Sequence, residues 1–115
     1  MTVRECYELM GANYDDVLRR LPSEAMIKRF AIKFLDDGTF QALKEALEAK
    51  NGEEAFRAAH TLKGVCQNLG FDALYEPSFE LTEKLRGKDT TGSEELFAKV
   101  EEQYNRTTNA IRMIV

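Results

Sequence analysis

Metal ligands are scarce in this sequence: it has one histidine and only two cysteines. Cys6 and Cys66 lie far apart and match no ligand spacing. A Cys/His metal centre is therefore all but excluded by inventory, and no Glu-x-x-His pair offers a carboxylate site in its place. Both cysteines are expected as thiols in a reducing compartment. No apolar run approaches the ~20 residues needed to span a bilayer, and the start, MTVRECYELM, lacks the apolar centre of a signal peptide. We therefore expect a cytoplasmic protein with no membrane partner. Charge of one sign is modest. A net charge of −4 repels phosphate backbones, which argues against nucleic acid as a partner. There is no internal repeat, no low-complexity stretch, no glycine-rich phosphate loop and no sustained strand alternation.

What remains is helical. A chain of 115 residues, 43% hydrophobic and 31% charged, suits one domain with one core and solvated outer faces. Two prolines and seven glycines fall almost entirely at breaks. A short helix over Val3 to Met10 stops at Gly11. Asn13 caps a second, with Asp15 and Asp16 in its first turn. Pro22-Ser23 opens a longer helix, with Met26, Phe30 and Phe34 every fourth residue, flanked by Ile27, Ala31 and Leu35. Asp37-Gly38 ends it, and Thr39 caps the next, with Leu43 and Leu47, Ala42 and Ala46 facing inward. After Asn51-Gly52 a helix runs from Glu53 to Leu69 and ends at Gly70. Asp72 caps another, carrying Leu74, Ser78, Leu81 and Leu85 and stopping at Gly87. Lys88 to Gly92 reads as a polar loop. Ser93 opens the last helix, with Leu96, Val100, Tyr104, Ile111 and Ile114 as its core. Short connections between amphipathic helices imply antiparallel neighbours. The expected fold is all-α: an antiparallel up-down four-helix bundle over 23–113, with a helical extension over 1–21, the whole of 1–115 forming one domain.

The segment Glu53–Gly70, EEAFRAAHTLKGVCQNLG, concentrates the chemistry. On a wheel of about 100° per residue, Ala55, Ala58, Leu62, Val65, Cys66 and Leu69 fall opposite His60 and form the buried face. His60 shares its own face with Phe56, Lys63, Gly64 and Gln67, at −4, +3, +4 and +7. A lone histidine on a helix is ordinarily a solvated surface residue; its neighbours change the reading. A glycine inside a helix costs about 1 kcal/mol relative to alanine, so Gly64, one turn beyond His60, suggests that something approaches closely. Phe56 suggests an apolar contact for the same visitor. A neutral imidazole nitrogen is a nucleophile able to accept a phosphoryl group. An ammonium one turn away supplies charge to the oxygens, and a carboxamide two turns away supplies donors. Phosphoryl transfer depends mostly on positioning and charge stabilisation, so a sparse site suffices when the partner brings the metal.

The stretch His60-Thr-Leu-Lys-Gly-Val-Cys-Gln-Asn-Leu-Gly70 resembles the signature of histidine-phosphotransfer (HPt) domains: a histidine, Lys-Gly at +3 and +4, and glycine at +10. Ala58-Ala59 before it also fit, and Leu74 to Arg86 looks like the family's next bundle helix. The resemblance implies a phosphocarrier that is not itself an enzyme. His60 would accept phosphate from a receiver-domain aspartate and pass it to another. Lys63 would stabilise the phosphoryl group, Gly64 would permit docking, and Gln67 would hydrogen-bond near the ring. Gly70 would close the helix. The implied partners are response-regulator receiver domains and a hybrid histidine kinase. No cofactor is implied on this chain; Mg2+ belongs to the receiver. A monomer is expected, since no heptad seam is sustained. Pro77 departs from the family pattern without touching the signature, and is expected to trim or kink the start of its helix. The alternatives are a helical module that docks receivers without taking phosphate and, further off, a small enzyme built on a bundle.

Overall fold

The computed structural model describes all residues from Met1 to Val115 and contains seven helices and no strand. They are α1 (Val3–Leu9), α2 (Tyr14–Arg20), α3 (Glu24–Phe34), α4 (Thr39–Glu48), α5 (Gly52–Leu69), α6 (Asp72–Lys84) and α7 (Glu94–Arg112). The all-helical expectation holds, and the interval 23–113 carries five helices, α3 to α7. No helix is long and apolar enough to cross a membrane.

Antiparallel packing proceeds in chain order, α4 on α5, α5 on α6 and α6 on α7. Short connections leave consecutive helices no option but to double back. Aromatic contacts bring α7 back beside α4. The Phe40 ring stacks on Tyr104 at 4.0 Å and on Phe97 at 5.6 Å. From there a run of rings continues into the N-terminal helices. Tyr104 meets Phe34 of α3, Phe34 meets Phe71 between α5 and α6, and Phe71 meets Tyr7 of α1, which meets Tyr14 of α2.

Four of the helices, α1, α2, α3 and α5, start on a side-chain cap. Thr2 and Glu5 form a reciprocal capping box on α1. The side chains of Asn13, Ser23 and Asn51 accept hydrogen bonds from Asp16, Met26 and Glu54 N–H, as N-caps do. Two expected caps are displaced by one residue. Gly38, not Thr39, holds the N-cap of α4, and the Thr39 N–H donates to the Asp37 carboxylate at 2.8 Å. Phe71 holds the N-cap of α6, while the Asp72 carboxylate accepts from the Asn13 N–H at 3.1 Å and ties α2 to α6. Ser93 stands at the N-cap of α7, but its hydroxyl donates back to the Thr90 carbonyl.

The buried faces differ from the expected stripes by a rotation of part of a turn. In α3, Ile27, Ala31 and Phe34 are buried, with Met26, Phe30 and Leu35 half-buried at the margins. In α4, Phe40, Leu43 and Ala46 are buried, Leu47 is half-buried and Ala42 is exposed. Tyr104 and Leu96 of α7 are half-buried, and Thr107 and Thr108 are buried beside Ala110. Pro77 lies inside α6, a little over one turn from its start, and it is buried. The missing N–H at this position leaves the Ala73 carbonyl without its usual partner.

Candidate functional site

α5 is the helix both neighbours pack against, and its sequence explains why. Ala55, Ala58, Ala59, Leu62 and Cys66 are buried; the small alanines let α4 and α6 come close. Ala59 joins this face although the wheel left it out, while Val65 and Leu69 are only half-buried. Both ends of the helix are fixed. At its start, a Cβ on Gly52 would meet the Lys88 carbonyl oxygen at 1.8 Å, so the α6–α7 loop lies directly on this residue. At its end, Gly70 takes φ +73, the left-handed conformation that favours glycine. A Cβ on Gly70 would also strike Val17 of α2 at 2.0 Å. The Tyr7 hydroxyl donates to the Leu69 carbonyl at 2.7 Å, satisfying one of the last carbonyls of α5.

Between these anchors His60 is exposed, on the side of α5 away from the core. The Phe56 ring lies 6.0 Å from the imidazole, tilted by 42°. Lys63 and Gly64 are half-buried and Gln67 is exposed, all on the flank that carries His60. A Cβ placed on Gly64 would meet nothing within 4 Å. The packing of the bundle therefore does not require a glycine here. All five residues expected at the site share one open face, and Gly70 closes the helix as expected.

α6 and the turn that follows it supply a second wall that the sequence reading does not include. The Lys63 ammonium lies 5.7 Å from the centroid of the Phe79 ring. The Arg86 guanidinium lies 5.3 Å from the Phe56 ring. Arg86 Nε and Nη2 both donate to Glu83 Oε2, at 3.2 and 2.6 Å. That hydrogen bond, helped by the charges of Arg86 and Lys63, holds the Glu83 carboxyl below its ordinary range. Phe79, Glu83 and Arg86 are spaced by four and three residues, the pattern of one helix face. The spacing was there to be read; which helix would face it was not.

A groove of about 300 Å³ adjoins the imidazole, lined by Glu53, Phe56, Arg57, Thr61, Arg86 and Lys88 together with His60. Arg57 is paired with Glu54 at 2.9 Å and with Glu53 at 3.8 Å on its own helix. A larger hollow of about 430 Å³ lies around Lys44, Lys50 and Phe97 and contains neither histidine nor cysteine, so size does not mark the chemistry. The two cysteines are buried free thiols. Burial pushes Cys6 up to about 11 and raises Cys66 further. Both side chains lie out of reach of an approaching surface.

The geometry offers one exposed imidazole, an ammonium on the same flank by helical spacing and a gap for an approaching surface. Comparison with known proteins agrees with that content. A family model for the Hpt domain matches residues 36–110, which contain α4 to α6, most of α7 and the whole His60 segment. No curated protein and no solved structure matches the chain. The matched interval takes in most of the sequence, and the chain belongs to the Hpt domain family, the histidine-phosphotransfer modules of two-component signalling.

Proposed function

We propose that His60 is the phosphoacceptor and that the protein relays a phosphoryl group between receiver-domain aspartates. In the first transfer, the lone pair of a neutral His60 ring nitrogen forms the N–P bond. The P–O bond to the donor aspartate breaks, and the aspartate leaves as a carboxylate. In the second transfer an acceptor aspartate attacks the same phosphorus, and the N–P bonding pair returns to the ring. Lys63 neutralises oxygens that carry negative charge throughout. Gln67 orients the phosphoryl group or the ring. Gly64 leaves the receiver room to bring its aspartate in line, and Phe56 gives its docking surface an apolar contact. The receiver contributes Mg2+, so this chain needs no metal of its own. A hybrid histidine kinase and response regulators are the partners, and the chain works as a carrier rather than an enzyme.

The observation that carries the reading is the shared open face: an exposed His60 with Gly64 beside it, where added side-chain atoms would touch nothing. The test is incubation with phosphorylated receivers. The expected product is an acid-labile, base-stable label on the wild type and none on His60→Gln. Label that persists on His60→Gln, or no label from any cognate receiver, overturns the assignment.

A further inference from the structure

Lysine carries a compact charge on a flexible four-carbon stem. Something must therefore select among the rotamers open to the Lys63 ammonium. No carboxylate lies within ion-pair distance of it. Its partner is the Phe79 ring, 5.7 Å away on α6. An aromatic face attracts an ammonium through its quadrupole without neutralising the charge. Phe79 is 41% exposed and stacks on Tyr75 at 6.1 Å, so its place is on the surface of α6 rather than in the core. The acid that competes for Lys63 is Glu83, one turn along from Phe79. One of its oxygens, Oε2, already accepts two donors of Arg86, and no ion pair joins it to Lys63.

We propose that Phe79 is a positioning residue for the phosphoryl chemistry: with Glu83 paired to Arg86, its ring holds the Lys63 ammonium toward the His60 face and outside ion-pair distance of any carboxylate. This inference rests on the reading of His60 as phosphoacceptor. A phosphoryl group arriving on His60 then meets a cation that has no ion pair to break.

The test uses phosphoramidate, which needs no receiver. In loading, a His60 ring nitrogen forms the N–P bond while the P–N bond of phosphoramidate breaks and ammonia leaves. In decay, water attacks phosphorus, the N–P pair returns to the ring, the proton of the attacking water is released and inorganic phosphate departs. Phosphorus NMR follows the phosphohistidine lifetime in the wild type, Phe79→Leu, Phe79→Tyr, Lys63→Ala and the double variant Phe79→Leu/Lys63→Ala. From the strength of an exposed cation–π contact, Phe79→Leu shortens the lifetime roughly two- to five-fold. Phe79→Tyr, which keeps the ring, retains the wild-type lifetime. In the Lys63→Ala background the leucine adds nothing, because both changes remove one interaction. A wild-type lifetime in Phe79→Leu, beside a shortened one in Lys63→Ala, overturns this inference alone. So does an equal loss with and without Lys63, which would make the ring merely structural. Failure of wild-type His60 to take any phosphoryl group overturns the reading beneath it as well.

Discussion

At Gly64 a Cβ would meet nothing within 4 Å, and the residue lies in the middle of an 18-residue helix. Glutamine is therefore accommodated, and it removes a helix penalty of about 0.5–1 kcal/mol. Gly64→Gln should raise the thermal midpoint slightly. It should also slow transfer from a phosphorylated receiver on the order of a hundred-fold, the usual consequence of ångström-scale misplacement of reacting groups. Transfer at the wild-type rate would remove the case for close approach at this position. The buried cysteines make a second prediction, about pH. Burial raises Cys6 from its ordinary 9.0 to about 11 and Cys66 beyond that. In alkaline solution the unfolded chain therefore loses protons that the folded chain keeps. Below about pH 9 these groups leave stability unchanged; above it stability falls as pH rises, and the Cys6 contribution is gone past about pH 11. The urea midpoint should drop between pH 8 and pH 10, and drop less in Cys6→Ala/Cys66→Ala. Equal drops in the two proteins would assign the alkaline loss to other groups. The half of the site on α5 was legible because one helix fixes its own neighbours: the spacing of Phe56, Lys63, Gly64 and Gln67 around His60 follows from 3.6 residues per turn. Phe79 and Arg86 were not legible. Their place depends on how α6 is rotated against α5, which packing decides.

At the scale of the helix, the far end of α5 is held from outside. Tyr7 is fully buried, and its hydroxyl reaches across 62 residues of sequence to the Leu69 carbonyl. Burial raises the phenol well above its ordinary range, so it stays a donor at any working pH. Tyr7→Phe keeps the ring contacts with Tyr14 and Phe71 and removes only the donor. Leaving that carbonyl unpaired costs about 1–3 kcal/mol. The urea midpoint should fall accordingly with an unchanged slope, while phosphoryl loading of His60 persists. An unshifted midpoint would mean that water replaces the hydroxyl. The helices themselves were readable from the sequence to within a residue or two, because caps, glycines and apolar period agreed. The misplaced caps share one cause. The carboxylates of Asp37 and Asp72 were available to backbone amides outside the expected pattern, and the Asn13 N–H that Asp72 takes is remote in sequence. The displaced stripes of α3 and α4 have another. Phe34 and Phe40 turn toward Tyr104 to join the run of rings, and that pulls their helices round.

For the whole molecule, the question is what the first helices do, since the family match begins only at residue 36. α1 packs on α7 and α3, and α2 on α3; both also reach the end of α5 remote from its start. Val17 lies against Gly70, Tyr7 bonds Leu69, and Asn13 is tied to Asp72. Together they clamp the turn where α5 passes into α6. Six of their side chains, Val3, Cys6, Tyr7, Met10, Tyr14 and Val17, are buried. At about 1.5–3 kcal/mol for each large apolar side chain, that burial is worth on the order of 10 kcal/mol as an upper bound. A domain of this size has only about 5–15 kcal/mol of net stability, so even the part of this gain that survives the entropy of ordering residues 1–21 is large on that scale. Removing residues 1–21 takes the Tyr7 ring off Phe71, which is buried in the full chain, and frees the Leu69 carbonyl. The truncated chain should keep much of its helical circular dichroism but lose its near-ultraviolet signal and its cooperative urea transition, as a bundle does when specific packing is gone. A truncated chain that unfolds cooperatively at the full-length midpoint would show that the extension merely rests on a bundle complete without it. The distinction reaches the chemistry, because α5 holds His60 between two anchored ends. If one anchor is lost, the imidazole still reaches solvent, but Phe56, Lys63 and Phe79 no longer keep fixed places around it.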